Sequence, residues 1–485
     1  MLFNSFAFLI FFPCVFFLYW GVPQRFRKYL LLVASYYFYM CWKAEFIVLI
    51  LLSTCIDYFC GLGLGRSTDP KRRKLLLAIS LTMNLGLLFF FKYFNFFGAT
   101  LTALCQAVSI PFSAPALNII LPVGISFYTF QTLNYTIDVY RGKLEPEHDF
   151  ITFALFVSYF PQLVAGPIEK ASNLLPQLKK EHTFSYEDAT YGLKLMAWGF
   201  FKKLVIADRL ATLLVDPVYG NLPEYQGGAL LIATVAFAFQ IYCDFGGYSD
   251  IARGCARMMG VELMENFQRP YLAVSMTDFW RRWHISLTGW FREYVYIPLG
   301  GNRKGPAKQM LFTGAVFLLS GLWHGANWTF VVWGAIHGGY LCMEKLWQRV
   351  KGASDTVHIN GWCLKALLWM KTLVLACFAW VFFRADTMVD ALYVLRHSLT
   401  GLSHPLQYCK AAAYSLSQGT INAAILLFSF FLLMSFDGVN EKQDTILVIS
   451  KWPAWLRWSV YIGFLLVLIA LIPKRSTAPF LYFQF

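Results

Sequence analysis

Asp278-Phe279-Trp280-Arg281-Arg282-Trp283-His284-Ile285-Ser286 opens a stretch that runs to His337. It passes through Trp290-Phe291-Arg292-Glu293-Tyr294, Pro298-Leu299-Gly300-Gly301 and Gly321-Leu322-Trp323-His324-Gly325. Three histidines, two adjacent arginines and several tryptophans thus crowd into sequence that otherwise suits lipid. Ionisable groups at membrane depth are expensive, so they mark a functional site by default.

The rest of the chain sets that depth. Of 485 residues, 58% are hydrophobic, 18% aromatic and only 14% charged, with a mean hydropathy of +0.52. This balance excludes an ordinary soluble domain and predicts an all-α polytopic membrane protein. The first apolar run begins at Leu2 without the basic flank of a secretory signal, so it is expected to stay as the first span. The net charge is +14, but the basic residues sit in short links between apolar runs, which favours membrane orientation over nucleic-acid binding. Eleven cysteines without a C-x-x-C pair argue against a disulfide scaffold or zinc site and read as small buried apolar residues.

A crossing takes about 20 residues, and candidate runs lie at Leu2–Trp20, Tyr29–Trp42, Phe46–Leu64 and Leu75–Phe97. Arg25, Arg27 and Lys28 follow the first, and Arg66 and Lys71 to Lys74 follow the third, so the positive-inside rule puts the N-terminus outside. Ile119–Tyr140 is interrupted by Pro122 and Gly124. Ile151–Val164 is short and reads as re-entrant. Tyr191–Leu213 carries Lys202 and Lys203, expected to snorkel to headgroups, and Gly228–Tyr242 reads as a span. Asp244 and Asp250 beyond it could be ordinary partners of nearby arginines. Residues 264–308 contain no crossing and read as short amphipathic helices on the cytoplasmic side. Met310–Met343 has no Asp, Glu, Lys or Arg, too long for one crossing and tight for two. Ala366–Phe383, Ile421–Phe436 and Leu456–Pro473 complete the spans, with Asp390–Leu402 as an amphipathic connector. A single membrane domain over 1–485, about a dozen segments with its core at 118–345, is the expectation.

A neutral imidazole suits the role of general base for a hydroxyl attacking a thioester, and Trp323-His324-Gly325 places one mid-run. A structural histidine bonded to a neighbouring helix is the competing reading. His284 beside Arg281 and Arg282 reads either as a lipid-headgroup cluster or as a site for the phosphates of an acyl donor. His337 is unlike His324 in helical phase and is secondary. There is no H-x-x-x-H, H-E-x-x-H, P-loop, G-x-S-x-G or Rossmann pattern, so no metal is expected.

At these residues the sequence resembles the membrane-bound O-acyltransferase superfamily, in the bacterial branch with alginate O-acetyltransferases. Val123 to Gln131, Leu163-Val164-Ala165-Gly166-Pro167-Ile168, Tyr242-Cys243-Asp244-Phe245 with Gly247-Tyr248-Ser249-Asp250, Asp278 to Ser286 and Trp323-His324-Gly325 carry the resemblance. Gly246 departs from it where serine is expected. The resemblance implies a ring of about 11–13 tilted transmembrane and re-entrant helices around a central tunnel. It implies His324 as the catalytic histidine and His284 as the second active-site residue, with no permanently bound cofactor and acetyl-CoA as donor.

The expected function is therefore acetyl transfer across the bacterial inner membrane to an exported polysaccharide, with a periplasmic transferase as partner. His324 would activate the hydroxyl and His284 would hold the thioester or the developing charge. Asp278, Trp280, Arg281, Arg282, Trp283, Trp323, Asn327 and Asp244 are the candidate substrate contacts, with Arg281 and Arg282 either meeting donor phosphates or pairing with Asp278. D-Alanine or a longer acyl group is an alternative. A transporter is the rival class, but it predicts polar residues recurring over several spans with an inverted repeat, and the sequence shows neither.

Overall fold

The computed structural model describes residues 1–351, 361–416, 420–472 and 480–481, and every regular element among them is helical. Among the described residues six helices are long and apolar enough to cross a membrane: Ala44–Arg66, Pro70–Ala107, Gly228–Met258, Trp362–Arg384, Ile421–Asn440 and Ala454–Leu471. Phe6–Gly21 is apolar but shorter, at 16 residues. The chain divides into two compact units. The first holds Met1–Leu193, Ala252–Met264 and Gly325–Asn327; the second holds Lys194–Ile251, Glu265–His324 and the described residues from Trp328 onward.

In the first unit a buried carboxylate ties three helices together. Asp57 of Ala44–Arg66 accepts from Ser80 and from Asn84 Nδ2 (2.7 Å) of Pro70–Ala107, and from Thr136 Oγ1 (2.9 Å) of Ile125–Tyr140. Buried polar groups persist only when paired, so this knot fixes how the three helices meet. The interruption expected at Pro122 and Gly124 is where the helix of the Ile119–Tyr140 run begins. Only Ile125–Tyr140 is helical, 16 residues or about 24 Å, because Gly124 turns the backbone to φ 76° beside the Leu163 carbonyl. Pro70–Ala107 extends well past the expected Leu75–Phe97 run, to 38 residues with a π-turn at Phe89–Tyr93. Ile151–Val164 breaks at Tyr159 into Phe150–Ser158 and Phe160–Leu163, each too short to cross.

In the second unit the uncharged Met310–Met343 run is a hairpin of Pro306–His324 and Trp328–Lys351. Glycine makes the pair possible: a β-carbon on Gly334 would lie 3.3 Å from Gly321 Cα and collide with the Phe317 carbonyl, and one on Gly338 would lie 3.4 Å from Gly314 Cα. Small residues four apart let helix backbones approach in apolar surroundings, where packing rather than hydrophobicity drives association. Residues 264–308 hold the short helices Met276–Arg282 and Ile285–Phe291, as their composition predicts. Thr387 and Asp390 form a capping box that starts the connector helix Met388–His397. The Leu456–Pro473 run is the Ala454–Leu471 helix, with Pro473 outside the described residues.

The cysteines depart from expectation. All are free, but only Cys60, Cys243, Cys255 and Cys377 are buried, whereas Cys14, Cys41, Cys363 and Cys409 are exposed. In an apolar environment a thiol is tolerated on either side of the packing surface.

Gly334→Ala should strain the hairpin and lower stability by about 1–3 kcal/mol. Gly339→Ala on the same helix, with nothing within 4 Å of its added carbon, should be neutral or stabilising by up to about 1 kcal/mol. Thermal unfolding of the two variants in one detergent checks the contrast.

Candidate active site

Six segments of the second unit meet around two imidazoles. The helix Met276–Arg282 starts at Ser275, whose hydroxyl accepts the Asp278 N–H at 3.0 Å. Its last turn ends in Trp283, buried against Phe267, Phe279 and Trp380. His284 follows with φ 44°, a left-handed backbone that side-chain-bearing residues rarely adopt. Such strain persists only where the surroundings impose it.

Asn266 imposes it. Its carbonyl accepts the Ile285 N–H (3.0 Å), and its Oδ1 accepts the Ser286 N–H (3.1 Å) and hydroxyl (3.0 Å). The same Oδ1 lies 3.2 Å from His284 Nδ1. The Ser286 N–H can only donate, which fixes that atom as oxygen rather than nitrogen. An oxygen can only accept, so His284 carries its hydrogen on Nδ1 and leaves Nε2 as an acceptor. Burial pushes the His284 pKa down to about 3, with a smaller opposing contribution from its own backbone, so the ring is neutral near pH 7.

His324 is the last residue of Pro306–His324 and is buried. Its ring lies 6.4 Å from that of His284 between centroids, with Trp323 at 5.0 Å, Trp333 at 4.9 Å and Phe383 at 5.3 Å. Trp323 also approaches His284, at 5.9 Å, and Phe245 meets His284 edge-on at 4.8 Å. The neutral His284 ring and the His324 imidazole therefore share one aromatic enclosure.

The other sequence candidates divide. Arg282 pairs with Asp278 (3.0 Å) and grips Glu441 with both terminal nitrogens (2.9 and 3.0 Å), so its fork is occupied. Arg281 is exposed. Trp280 donates to His337 Nδ1 at 3.3 Å. Asn327 is half-buried in the turn after His324 and falls in the first unit. Asp244 is buried, and its partners correct two expectations. Lys203 bridges Asp244 (2.6 Å) and Asp208 (2.8 Å), so the ion-pair partner of Asp244 is a lysine rather than an arginine, and Lys202 meets Asp250 (2.5 Å). Neither lysine snorkels; each is under 6% exposed. The Gly228–Met258 helix brings Asp244 and Asp250 against Phe201–Ala207, where Gly199 and Gly247 allow close approach. Asp244 also accepts the Leu481 N–H (2.8 Å), and Phe480 packs on Tyr248 and Phe245.

Asn266, Trp333, Trp380 and Phe383 border the site without having been singled out, and Phe245, quoted only as part of a family motif, packs on His284. Among the described residues no group of three His, Cys, Asp or Glu could hold a metal ion.

Residues 144–385 match the membrane-bound O-acyltransferase family. The chain is 38% identical over 501 residues to a probable alginate O-acetylase of Pseudomonas putida, covering 100% of both chains. The chain belongs to the membrane-bound O-acyltransferase family. It is a multi-pass membrane O-acyltransferase of the branch that contains those alginate O-acetylases. This acyltransferase is also 32% identical over 533 residues to a peptidoglycan O-acetyltransferase of Helicobacter pylori, covering 100% of this chain and 98% of the other. A teichoic acid D-alanyltransferase of Bacillus subtilis is 26% identical over 260 residues, 51% of this chain and 65% of the other.

Lys203→Met leaves Asp208 and Asp244 buried without their cation, which should cost about 3–5 kcal/mol. Membrane abundance and thermal unfolding should fall accordingly, and adding Asp208→Asn and Asp244→Asn should recover part of the loss.

Proposed function

We propose that this acyltransferase moves acetyl from cytoplasmic acetyl-CoA to a hydroxyl of an exported, alginate-like polysaccharide, in the bacterial inner membrane and with a periplasmic transferase as partner. The observation that carries the reading is the His284–His324 pair: two imidazoles 6.4 Å apart, buried among aromatic rings. In the proposed reaction the hydroxyl oxygen attacks the thioester carbonyl carbon while His324 takes its proton. The C–S bond then breaks, and the leaving thiolate recovers that proton from the imidazolium. No net proton is consumed.

The tautomer refines the role of His284. With Nε2 as an acceptor it is poorly suited to hold a negative carbonyl oxygen, and well suited to accept from and orient the incoming hydroxyl. Arg281 remains available for donor phosphates, since Arg282 is engaged by Asp278 and Glu441. Acetyl is favoured over D-alanyl because the relatives named for O-acetylation align over the full chain, whereas the D-alanyltransferase aligns over about half.

Ester-linked acetate on the exported glycan tests this in cells lacking the endogenous gene, complemented at matched membrane abundance. Wild type should restore acetate, and His324→Ala should lose about 10²–10⁴-fold, the usual contribution of a general base. Equal acetate from both would remove His324 from the chemistry. His284→Gln, whose Oε1 takes the place of Nε2 as an acceptor, should retain more transfer than His284→Ala.

A further inference from the structure

The transfer chemistry leaves His337 unused. It is fully buried, and rings of Phe279, Trp280, Phe317, Trp333, Tyr340 and Trp380 surround it. Trp280 Nε1 donates to its Nδ1 at 3.3 Å. An indole nitrogen can only donate, so His337 carries its hydrogen on Nε2, the tautomer opposite to that of His284.

Seven residues further along Trp328–Lys351, Glu344 reaches the same partner helix. Its Oε1 accepts the Met276 N–H (2.8 Å), and its Oε2 accepts the Thr277 N–H and hydroxyl (2.9 Å each). Residues seven apart share one helical face. That face therefore holds Met276–Arg282 at its first turn through Glu344 and at Trp280 through His337. A seven-residue helix is too short to hold its own direction, so tertiary contacts must supply it. Trp333, on the same helix, touches both His337 (4.8 Å) and His324 (4.9 Å).

We propose that His337 is a positioning residue for acyl transfer: with Glu344 it clamps the Met276–Arg282 helix so that His284, two residues beyond its end, is delivered to His324. This rests on the reading of His284 and His324 as the reactive pair. His337 itself donates or accepts no proton in the reaction. Its Nδ1 is occupied by Trp280, and it acts on the reactive pair through the rings packed between them, Trp280 and Trp333 among them.

The test uses the full-length enzyme in proteoliposomes, measuring thiol release from acetyl-CoA with alginate oligomers as acceptor, beside hydrogen exchange of backbone amides 276–291. His337→Leu should lower kcat about 10–100-fold, the scale of lost supporting contacts, with KM for acetyl-CoA within about twofold. Exchange in 276–284 should rise, and the shape of the pH–rate profile should not change. His337→Asn, whose Oδ1 overlays Nδ1 and still accepts from Trp280, should recover most of kcat. Glu344→Gln, a milder change at the other grip, should loosen the same amides to a smaller extent and covers the case in which His337→Leu does not fold. Unchanged kcat and exchange in His337→Leu and Glu344→Gln would overturn the clamp. A displaced pH profile with His337→Asn as inactive as His337→Leu would also overturn it, by making His337 a proton carrier. His324→Ala, assayed in parallel, separates the two levels. If it keeps turnover, the reactive-pair reading fails; if it is inactive while His337→Leu turns over normally, only the positioning role fails.

Discussion

The geometry of the site depends on one amide oxygen. Asn266 Oδ1 gathers the Ser286 N–H, the Ser286 hydroxyl and His284 Nδ1 within 3.2 Å, and these bonds hold His284 in a backbone conformation that an L-residue otherwise avoids. A continuous helix from Met276 would turn the imidazole elsewhere. The left-handed break stops the first helix, starts Ile285–Phe291 and leaves the ring buried beside His324. The same oxygen selects the tautomer, so backbone strain and proton bookkeeping share one cause.

Around that turn, two kinds of packing place the partner histidine. The glycines of the Pro306–His324 and Trp328–Lys351 hairpin let backbones touch, which sets His324 at the end of one arm and His337 within the other. Buried charge does the rest. Lys203 between Asp208 and Asp244 offsets the desolvation of both carboxylates, and Asp244 is followed directly by Phe245, which packs on His284. Such pairs add little net stability compared with apolar packing, but removing one partner is costly, so they specify an arrangement more than they strengthen it.

Much of this was legible in sequence. The apolar runs at Phe46–Leu64, Ala366–Phe383 and Ile421–Phe436 became membrane-length helices, because hydropathy over a window is a local quantity. The motifs carrying His284 and His324 pointed to one site, and the structure brings their rings together. What failed was non-local. Lys202 and Lys203 looked like snorkelling cations because Asp250 and Asp244 lie on another segment, out of reach of a window, and because nothing local shows that the nearby Asp208 is buried with Lys203. Asn266 reads in sequence as one polar loop residue among several; only the left-handed turn it supports makes it conspicuous. Gly124 and Pro122 did announce an interruption, but not that residues before Gly124 would leave the helix.

The central claim is that His284 and His324 act as one unit on a single acyl transfer. The most direct measurement is single-turnover acetyl transfer from acetyl-CoA by purified wild type, His284→Ala, His324→Ala and the double variant, each matched for folded protein. Residues that act together lose function non-additively, so the double variant should be no slower than His324→Ala within about threefold. Losses that multiply, with the double variant slower by the product of the two single effects, would mean that the histidines serve separate steps and would contradict a shared site.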